Sequence, residues 1–229
     1  MTGAPFHRRA THGLIALALL GLSVAAAFLM RNRPGRADAV RLVHVGPAVA
    51  EGSAGSGVSA GPEHAPVTVR VFGDYQCGWC DRLDLEAGPE LRALAREGLI
   101  RYVYVHAPLR VNRRGPAAAA AAHCAAALGE PWSMHRILYE RRAEWAVGDP
   151  PEPRFLAYAE ELGLDPAEFE RCLRDASTAE QVARDRRAAD LLSPDRVPTV
   201  YIDGDLLTPA PAPAQLLALV RQRIRRGEP

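Results

Sequence analysis

Apolar and polar positions alternate over residues 66–72 (PVTVRVF), which predicts a β-strand. Residues 77–97 follow, and their leucines recur at helical spacing. Residues 99–106 (LIRYVYVH) alternate again and predict a second strand. A strand, a helix and a strand in this order predict a β-α-β unit with parallel strands and a right-handed crossover.

The next stretch of the chain carries mainly helical signals. We predict helices over residues 116–128, 130–145, 152–163 and 178–192. A further helix begins at Asp165, where an N-cap aspartate precedes a proline and an acidic first turn.

Strand character returns after this helical block. Pro198 and Thr199 lead into VYIDGDLL, in which Asp203-Gly204 predicts a hairpin turn. An amphipathic helix over residues 215–225 closes the pattern. The order β-α-β, helical block, β-β-α predicts an α/β fold in which helices cover both faces of one sheet.

Residues 13–30 are uncharged and mostly apolar, and Arg8 and Arg9 precede them. As a helix they would span roughly 27 Å, enough for a bilayer core. We expect an uncleaved transmembrane signal-anchor, with cleavage near residues 37–39 as the alternative. The predicted organisation is an N-terminal tail (1–12), the anchor (13–30), a flexible Gly/Ser-rich linker (31–62) and a folded domain (63–229). Within that linker, residues 40–45 are either an edge strand or part of the tether.

Composition narrows the class of protein. Hydrophobic residues make up 48% of the chain, charged residues 24%, and the net charge is +1, so nucleic acid is not an expected partner. The four cysteines favour an oxidising compartment, although sequence alone allows three pairings. We therefore expect the domain on the periplasmic or extracytoplasmic side of the cytoplasmic membrane, against the arginine count after the span.

Cys77 and Cys80 form a C-x-x-C motif at the start of the first predicted helix. A helix N-terminus offers unpaired N–H groups and a positive dipole end, which lower the pKa of a thiol there. The pattern therefore favours a redox-active pair over a structural disulfide. A zinc site with His123 and Cys124 is disfavoured because neighbours within a helix point about 100° apart, and no metal site is expected.

Four ordered stretches resemble the DsbA-like branch of the thiol–disulfide oxidoreductases: HAPVTVRVFGDYQCGWC, PWSMHRILYE, FLAYAEELGLDPAEFERCL and VPTVYIDG. The resemblance implies a thioredoxin fold with an inserted helical block at about residues 112–192. It implies that Cys77 is the nucleophile and Cys80 the resolving thiol, with Gly78 and Trp79 between them.

The resemblance also assigns roles to later positions. Pro198 would be a cis-proline facing the cysteine pair, and Val197 would present its backbone to a bound peptide. Cys124 and Cys172 would form a structural disulfide inside the helical block.

Two features depart from this family, and a neighbouring charge bears on the same thiol. Relatives carry a buried acid six residues before the first cysteine, where this chain has Val71, so water or another group such as Asp74 would take its place. The strongest oxidases have a histidine in the intervening dipeptide, which Gly78-Trp79 lacks. Asp81 would modestly oppose a thiolate by like-charge repulsion.

The resulting expectation is a membrane-anchored, monomeric thiol–disulfide oxidoreductase that introduces disulfides into exported, cysteine-containing polypeptides. Its other partner would be a membrane redox protein, either a quinone-linked reoxidant or a thiol reductant, and no metal, nucleotide or flavin is required. Two alternatives stay open: a reductase or isomerase, for example in cytochrome c maturation, and a non-catalytic thioredoxin-like module that binds peptides.

Overall fold

The computed structural model describes residues 40–45, 57–192 and 196–227. The strands are β1 (Arg41–His44), β2 (Val58–Ala60), β3 (Val67–Gly73), β4 (Ile100–His106), β5 (Thr199–Ile202) and β6 (Asp205–Thr208). The helices are α1 (Gly78–Arg96), α2 (Gly115–Ala127), α3 (Pro131–Glu140), α4 (Arg142–Trp145), α5 (Glu152–Glu161), α6 (Pro166–Arg174), α7 (Ala176–Leu192) and α8 (Pro213–Arg226).

The six strands form one mixed sheet in the order β1-β6-β5-β3-β4-β2. The central pair β3 and β4 is parallel, with Val67 opposite Ile100 and Gly73 opposite His106. Every other pairing in this sheet is antiparallel. The predicted β-α-β unit and the β5–β6 hairpin at Asp203-Gly204 are therefore confirmed.

Helices cover both faces of the sheet, as the alternating pattern predicts. Val67, Val69 and Val71 of β3 face the larger core, which also contains residues of α1 and α8. Phe72 of the same strand faces a smaller core that includes Ala189 of α7. The α/β thioredoxin fold with an inserted helical block, here α2 to α7, is confirmed.

Residues 41–44 form an edge strand that pairs with β6, which is one of the two alternatives given for residues 40–45. Residues 58–60, predicted as linker, form a second edge strand that pairs with β4. Gly61 looks like a linker glycine, but it has φ +85°, and a Cβ there would lie 2.2 Å from the carbonyl oxygen of Ile100. This glycine is required by the turn and does not signal flexibility.

The structure changes one further helix prediction and confirms a predicted N-cap. The helix predicted over residues 130–145 is divided at Arg141 into α3 and α4. The N-cap at Asp165 is confirmed, because its carboxylate accepts hydrogen bonds from the N–H groups of Ala167 and Glu168.

The predicted anchor at residues 13–30 lies outside the described residues. Among the helices of the described residues, none has the length and apolar character that a membrane span requires.

Candidate active site

The loop after β3 places Cys77 at the N-cap of α1. Cys77 has an extended backbone (φ −86°, ψ 120°), and its Sγ accepts a hydrogen bond from the N–H of Cys80 at 3.4 Å. The N–H of Cys77 donates to the carbonyl of Asp74 at 3.0 Å, which closes the turn. A thiol in this position receives the helix N–H groups that otherwise lack a partner.

The two thiols of the motif have different environments. Cys77 is partly exposed, and its pKa is lowered to about 7, chiefly by a hydrogen bond from the Cys80 thiol. Burial opposes this shift, and the N–H groups of Cys80 and Trp79 add to it. Cys80 is only 1% exposed, and burial raises its pKa well above 9. The pair therefore contains one thiol that ionises near neutral pH and one that does not.

The segment before β5 faces this pair. The Val197-Pro198 peptide bond is cis, and the Cys77 thiol donates a hydrogen bond to the carbonyl of Val197 at 3.7 Å. A groove of about 660 Å³ runs beside them, bordered by Trp79 on one side and by the segment around Pro209 on the other. Trp79 is 67% exposed, so the dipeptide between the cysteines projects toward this groove and solvent.

Asp74 joins the cysteine loop to the loop between β4 and α2. Its Oδ1 accepts the N–H of Gln76 at 2.8 Å. Its Oδ2 accepts the N–H of Leu109 at 2.8 Å and the side-chain amide of Asn112 at 2.6 Å. Asp74 is 1% exposed, and burial raises its pKa despite these hydrogen bonds.

A second buried acid lies deeper along α1. Asp84 is 4% exposed, and its Oδ1 lies 3.0 Å from Nε2 of His135 and 3.4 Å from Nη1 of Arg92. Burial opposes the charge of Asp84, but the interactions with His135 and Arg92 outweigh it, so the pKa of Asp84 is lowered. Nδ1 of His135 is hydrogen-bonded to the hydroxyl of Tyr75 at 2.8 Å. This network connects α1, the cysteine loop and α3.

Two side chains beside the motif, those of Gln76 and Arg142, have no role in the sequence-based prediction. Gln76 donates to the carbonyl of Ala146 at 2.9 Å and accepts the N–H of Arg114 at 2.9 Å. Arg142 forms an ion pair with Asp81 at 3.0 Å, and a Cβ at Gly78 would lie 3.6 Å from its Nη2. Arg114, Arg142 and Ala146 belong to the helical block, and no local sequence signal indicates that they lie beside the cysteines.

The structure separates the predicted site residues into two groups. Trp79, Val197 and Pro198 line the groove, and Cys77 contacts both Val197 and Cys80. Cys124 of α2 and Cys172 of α6 are joined by a disulfide inside the helical block. That disulfide removes Cys124 from the zinc site considered above, and the described residues contain no cluster of metal-binding side chains.

Comparison with known proteins places the chain in a family. The family model described as Thioredoxin matches residues 53–222. The chain belongs to this thioredoxin family. Within this fold the C-x-x-C motif lies at a helix N-terminus, with Cys77 as the N-cap of α1.

Two proteins with similar sequences show how much of their length this chain matches. An Na⁺/H⁺ antiporter of Salinispora arenicola is 38% identical over 146 residues, which cover 63% of this chain but 21% of the antiporter. A probable disulfide bond formation protein D of Bacillus cereus is 25% identical over 160 residues, covering 66% of this chain and 72% of that protein. The chain therefore spans about a fifth of the antiporter, and the antiporter's activity as a whole is not transferred to it.

Solved structures show the same fold. The crystal structure of oxidised BdbD from Bacillus subtilis matches with a TM-score of 0.64 and 18% identity, covering 75% of this chain and 97% of that protein. The thioredoxin-fold domain of this chain therefore matches nearly the whole of BdbD.

Proposed function

We propose that the protein introduces disulfides into exported, cysteine-containing polypeptides through Cys77 and Cys80. One observation carries the proposal: Cys77 is a partly exposed helix N-cap with a pKa of about 7, and the cis Val197-Pro198 bond faces it. About half of such a thiol is thiolate at neutral pH, and the thiolate is the nucleophile. Cys80 lies buried behind it as the second sulfur of the pair.

The oxidising reaction starts from a Cys77–Cys80 disulfide. A substrate thiolate attacks Sγ of Cys77, the S–S bond breaks, and its electron pair leaves on Sγ of Cys80. A second substrate thiolate then attacks the substrate sulfur of the mixed disulfide and releases Cys77 as a thiolate. The substrate loses two electrons and the pair gains them, so a quinone-linked membrane partner is needed to restore the disulfide.

The groove beside Cys77 supports a peptide substrate. Its wall includes the backbone of Val197, which lies beside the reactive sulfur, and the apolar side chains of Leu206 and Pro209. A peptide in extended conformation would bind such a groove through its backbone, with apolar side chains packed against the wall. This arrangement accepts many sequences as long as a cysteine reaches Cys77.

Location is proposed from the second cysteine pair. A structural disulfide persists in oxidising compartments, and Cys124–Cys172 is such a bond. We place the domain on the extracytoplasmic side, anchored through the apolar segment of residues 13–30, which would also hold it near a membrane redox partner.

The reverse direction is the second candidate, and the pKa of Cys77 favours it. A value of about 7 equals that of thioredoxin, whereas strong oxidases of this fold reach about 3.5. A less stable thiolate stabilises the reduced pair less, so we expect a reduction potential nearer to that of thioredoxin than to that of the strong oxidases. This potential would suit a reductase or an isomerase.

Redox trapping in cells distinguishes the two directions. Cells are quenched rapidly in acid, thiols are alkylated, and the states of Cys77 and Cys80 are read by mass shift. A mostly oxidised pair supports the oxidase, and a mostly reduced pair supports the reductase or isomerase. If Cys77→Ser leaves the cellular phenotype unchanged, a peptide-binding module without catalysis replaces both.

A further inference from the structure

The groove beside Cys77 is bordered by charged residues of one sign. Arg82 of α1 lines it, and so does Arg196, which directly precedes Val197. The other described residues along this groove are uncharged. A polypeptide that reaches Cys77 through the groove therefore passes two positive side chains and meets no negative one among the residues that line it.

Arg82 lies beside the exposed dipeptide of the motif. Its guanidinium carbon is 5.9 Å from the centre of the Trp79 ring, and its Nε lies 3.0 Å from a carboxylate oxygen of Glu86. The side chains of Arg82 and Glu86 are 57% and 54% exposed, and an ion pair so open to solvent is weak. Because a guanidinium has five N–H donors, Arg82 can bind a second carboxylate through its terminal groups.

Arg196 lies next to the backbone that faces the reactive sulfur. Its carbonyl accepts a hydrogen bond from the Thr199 hydroxyl at 2.8 Å, and the carbonyl of Val197 accepts one from the Cys77 thiol. Arg196 itself is exposed. The backbone at Arg196 is therefore held beside Cys77, while the residue stays accessible to a bound segment.

The positive character continues beyond the groove. Leu109 borders both the groove and a neighbouring depression, in which the charged residues are Arg110, Arg113 and Arg186. Arg186 forms an ion pair with Asp190, whereas Arg110 and Arg113 are exposed. The net charge of the whole chain is only +1, so the surface around the groove is more positive than the average surface of the protein.

Resting on the function proposed above, we propose that Arg82 and Arg196 make the groove selective for polypeptide segments with acidic side chains next to the reacting cysteine. A guanidinium binds a carboxylate through two parallel hydrogen bonds, which gives both affinity and orientation. Opposite charge also speeds the encounter of the two chains. Contacts with the backbone of Val197 admit many sequences, and the two arginines determine which of these sequences react fastest.

Acidic side chains in a substrate also act on the substrate's own thiol. They raise the pKa of a neighbouring cysteine, which lowers its thiolate fraction and slows its attack on the Cys77–Cys80 disulfide. A comparison of peptides on one protein would mix this effect with recognition. The same peptides are therefore compared on native protein and on a variant, because the effect on the peptide thiol is common to both.

The test measures oxidation of short peptides by protein that carries the Cys77–Cys80 disulfide. Three peptides share one sequence with two cysteines and differ only in the residues that flank each cysteine, which are Glu, Gln or Lys. The peptides are kept well below saturation, the reaction is quenched in acid, and the oxidised peptide is quantified by chromatography. The readout is the ratio of the second-order rate constants for the Glu and the Gln peptide.

We expect this Glu/Gln ratio to be about fivefold higher for native protein than for Arg82→Gln/Arg196→Gln, because each exposed ion pair contributes a few-fold. Arg136→Gln/Arg171→Gln is the matched control. It removes the same charge from two arginines that also form surface ion pairs within helices and do not line the groove, so it should keep the native ratio. Arg82→Glu/Arg196→Glu should instead favour the Lys peptide.

An equal Glu/Gln ratio in native protein and in Arg82→Gln/Arg196→Gln would overturn the proposal. A fall of the same size in Arg136→Gln/Arg171→Gln would also overturn it, since net charge and not the groove would then be responsible.

Salt provides a measurement that needs no variant. In about 1 M NaCl the Debye length is about 3 Å, so the Glu/Gln ratio of native protein should fall. Screening of the peptide's own thiol would raise this ratio, so a fall reports recognition, and a constant or rising ratio contradicts the proposal.

Cys77→Ser separates this proposal from the function on which it rests. If native protein oxidises none of the three peptides faster than Cys77→Ser does, the proposed function fails. Fast oxidation of all three peptides at ratios that Arg82→Gln/Arg196→Gln leaves unchanged would keep that function and remove only the selection by charge.

Discussion

Cys77 and Cys80 lie where a strand leads into a helix, whereas Cys124 and Cys172 lie on two helices of the inserted block. The first pair has its leading thiol partly exposed at a helix N-terminus and its second thiol buried. Cys124 of the second pair is fully buried within α2, and its disulfide closes a 48-residue separation. The same functional group is therefore made reactive in one place and inert in the other by its position relative to helix ends and solvent.

Removal of Cys77 tests most directly whether the two cysteine pairs have different roles. Cys77→Ser should lower the rate of disulfide exchange with a model substrate by at least about 1,000-fold, because the nucleophile is lost. The rate is measured by the loss of disulfides from oxidised glutathione or insulin. Cys124→Ala/Cys172→Ala is the matched control and should retain most of the rate. Comparable losses in both variants would show that the two pairs act together.

The second pair should instead determine stability. Cys124→Ala/Cys172→Ala should lower the free energy of unfolding by about 4 kcal/mol, since the unfolded chain regains the freedom of a 48-residue loop. Denaturant titration of the oxidised protein and of the variant measures the difference. Cys77→Ser should change this free energy little, and a stability loss as large as that of the double variant would contradict the distinction between the pairs.

The sequence predicts the sheet and the cysteine loop because the signals there are local. The alternation around Val69, the hairpin at Asp203-Gly204 and the C-x-x-C at a helix start each lie within a few consecutive residues. The sequence does not predict the edge strand around Val58, because the Gly/Ser-rich residues around it resemble a linker. Only its pairing with β4 makes this segment a strand. Strands of three residues have little pattern of their own.

The surroundings of the cysteine pair could be predicted only in part. Asp74 lies three residues before Cys77, and the sequence predicts that it could replace the missing buried acid. Its partners Leu109 and Asn112 come from the loop after β4. The contact of Asp84 with His135 joins two helices through residues 51 positions apart in the chain. Long-range contacts of this kind leave no periodic trace, so the residues that tune the thiols become visible only in the folded structure.

A pH titration tests the difference in pKa between the two thiols of the first pair. Alkylation of reduced protein should follow a single ionisation with a midpoint of about pH 7, and the rate should rise about tenfold between pH 6 and pH 8. The product should carry the label on Cys77, because the pKa of Cys80 lies well above 9. Peptide mapping after a short reaction checks this, and labelling of Cys80 at pH 8 at a similar rate would contradict it.

The smallest effect concerns the ion pair beside the motif. Arg142 neutralises Asp81 in the first turn of α1, so Arg142→Gln leaves a negative charge next to the cysteine pair. The pKa of Cys77 should then rise, by less than about half a unit, because both side chains are partly solvated. Asp81→Asn removes the opposite charge and should lower the same pKa slightly. The midpoint of the alkylation profile measures both shifts. Opposite shifts assign the effect to charge, whereas shifts of the same sign would assign it to altered packing of α4 against α1 and not to electrostatics.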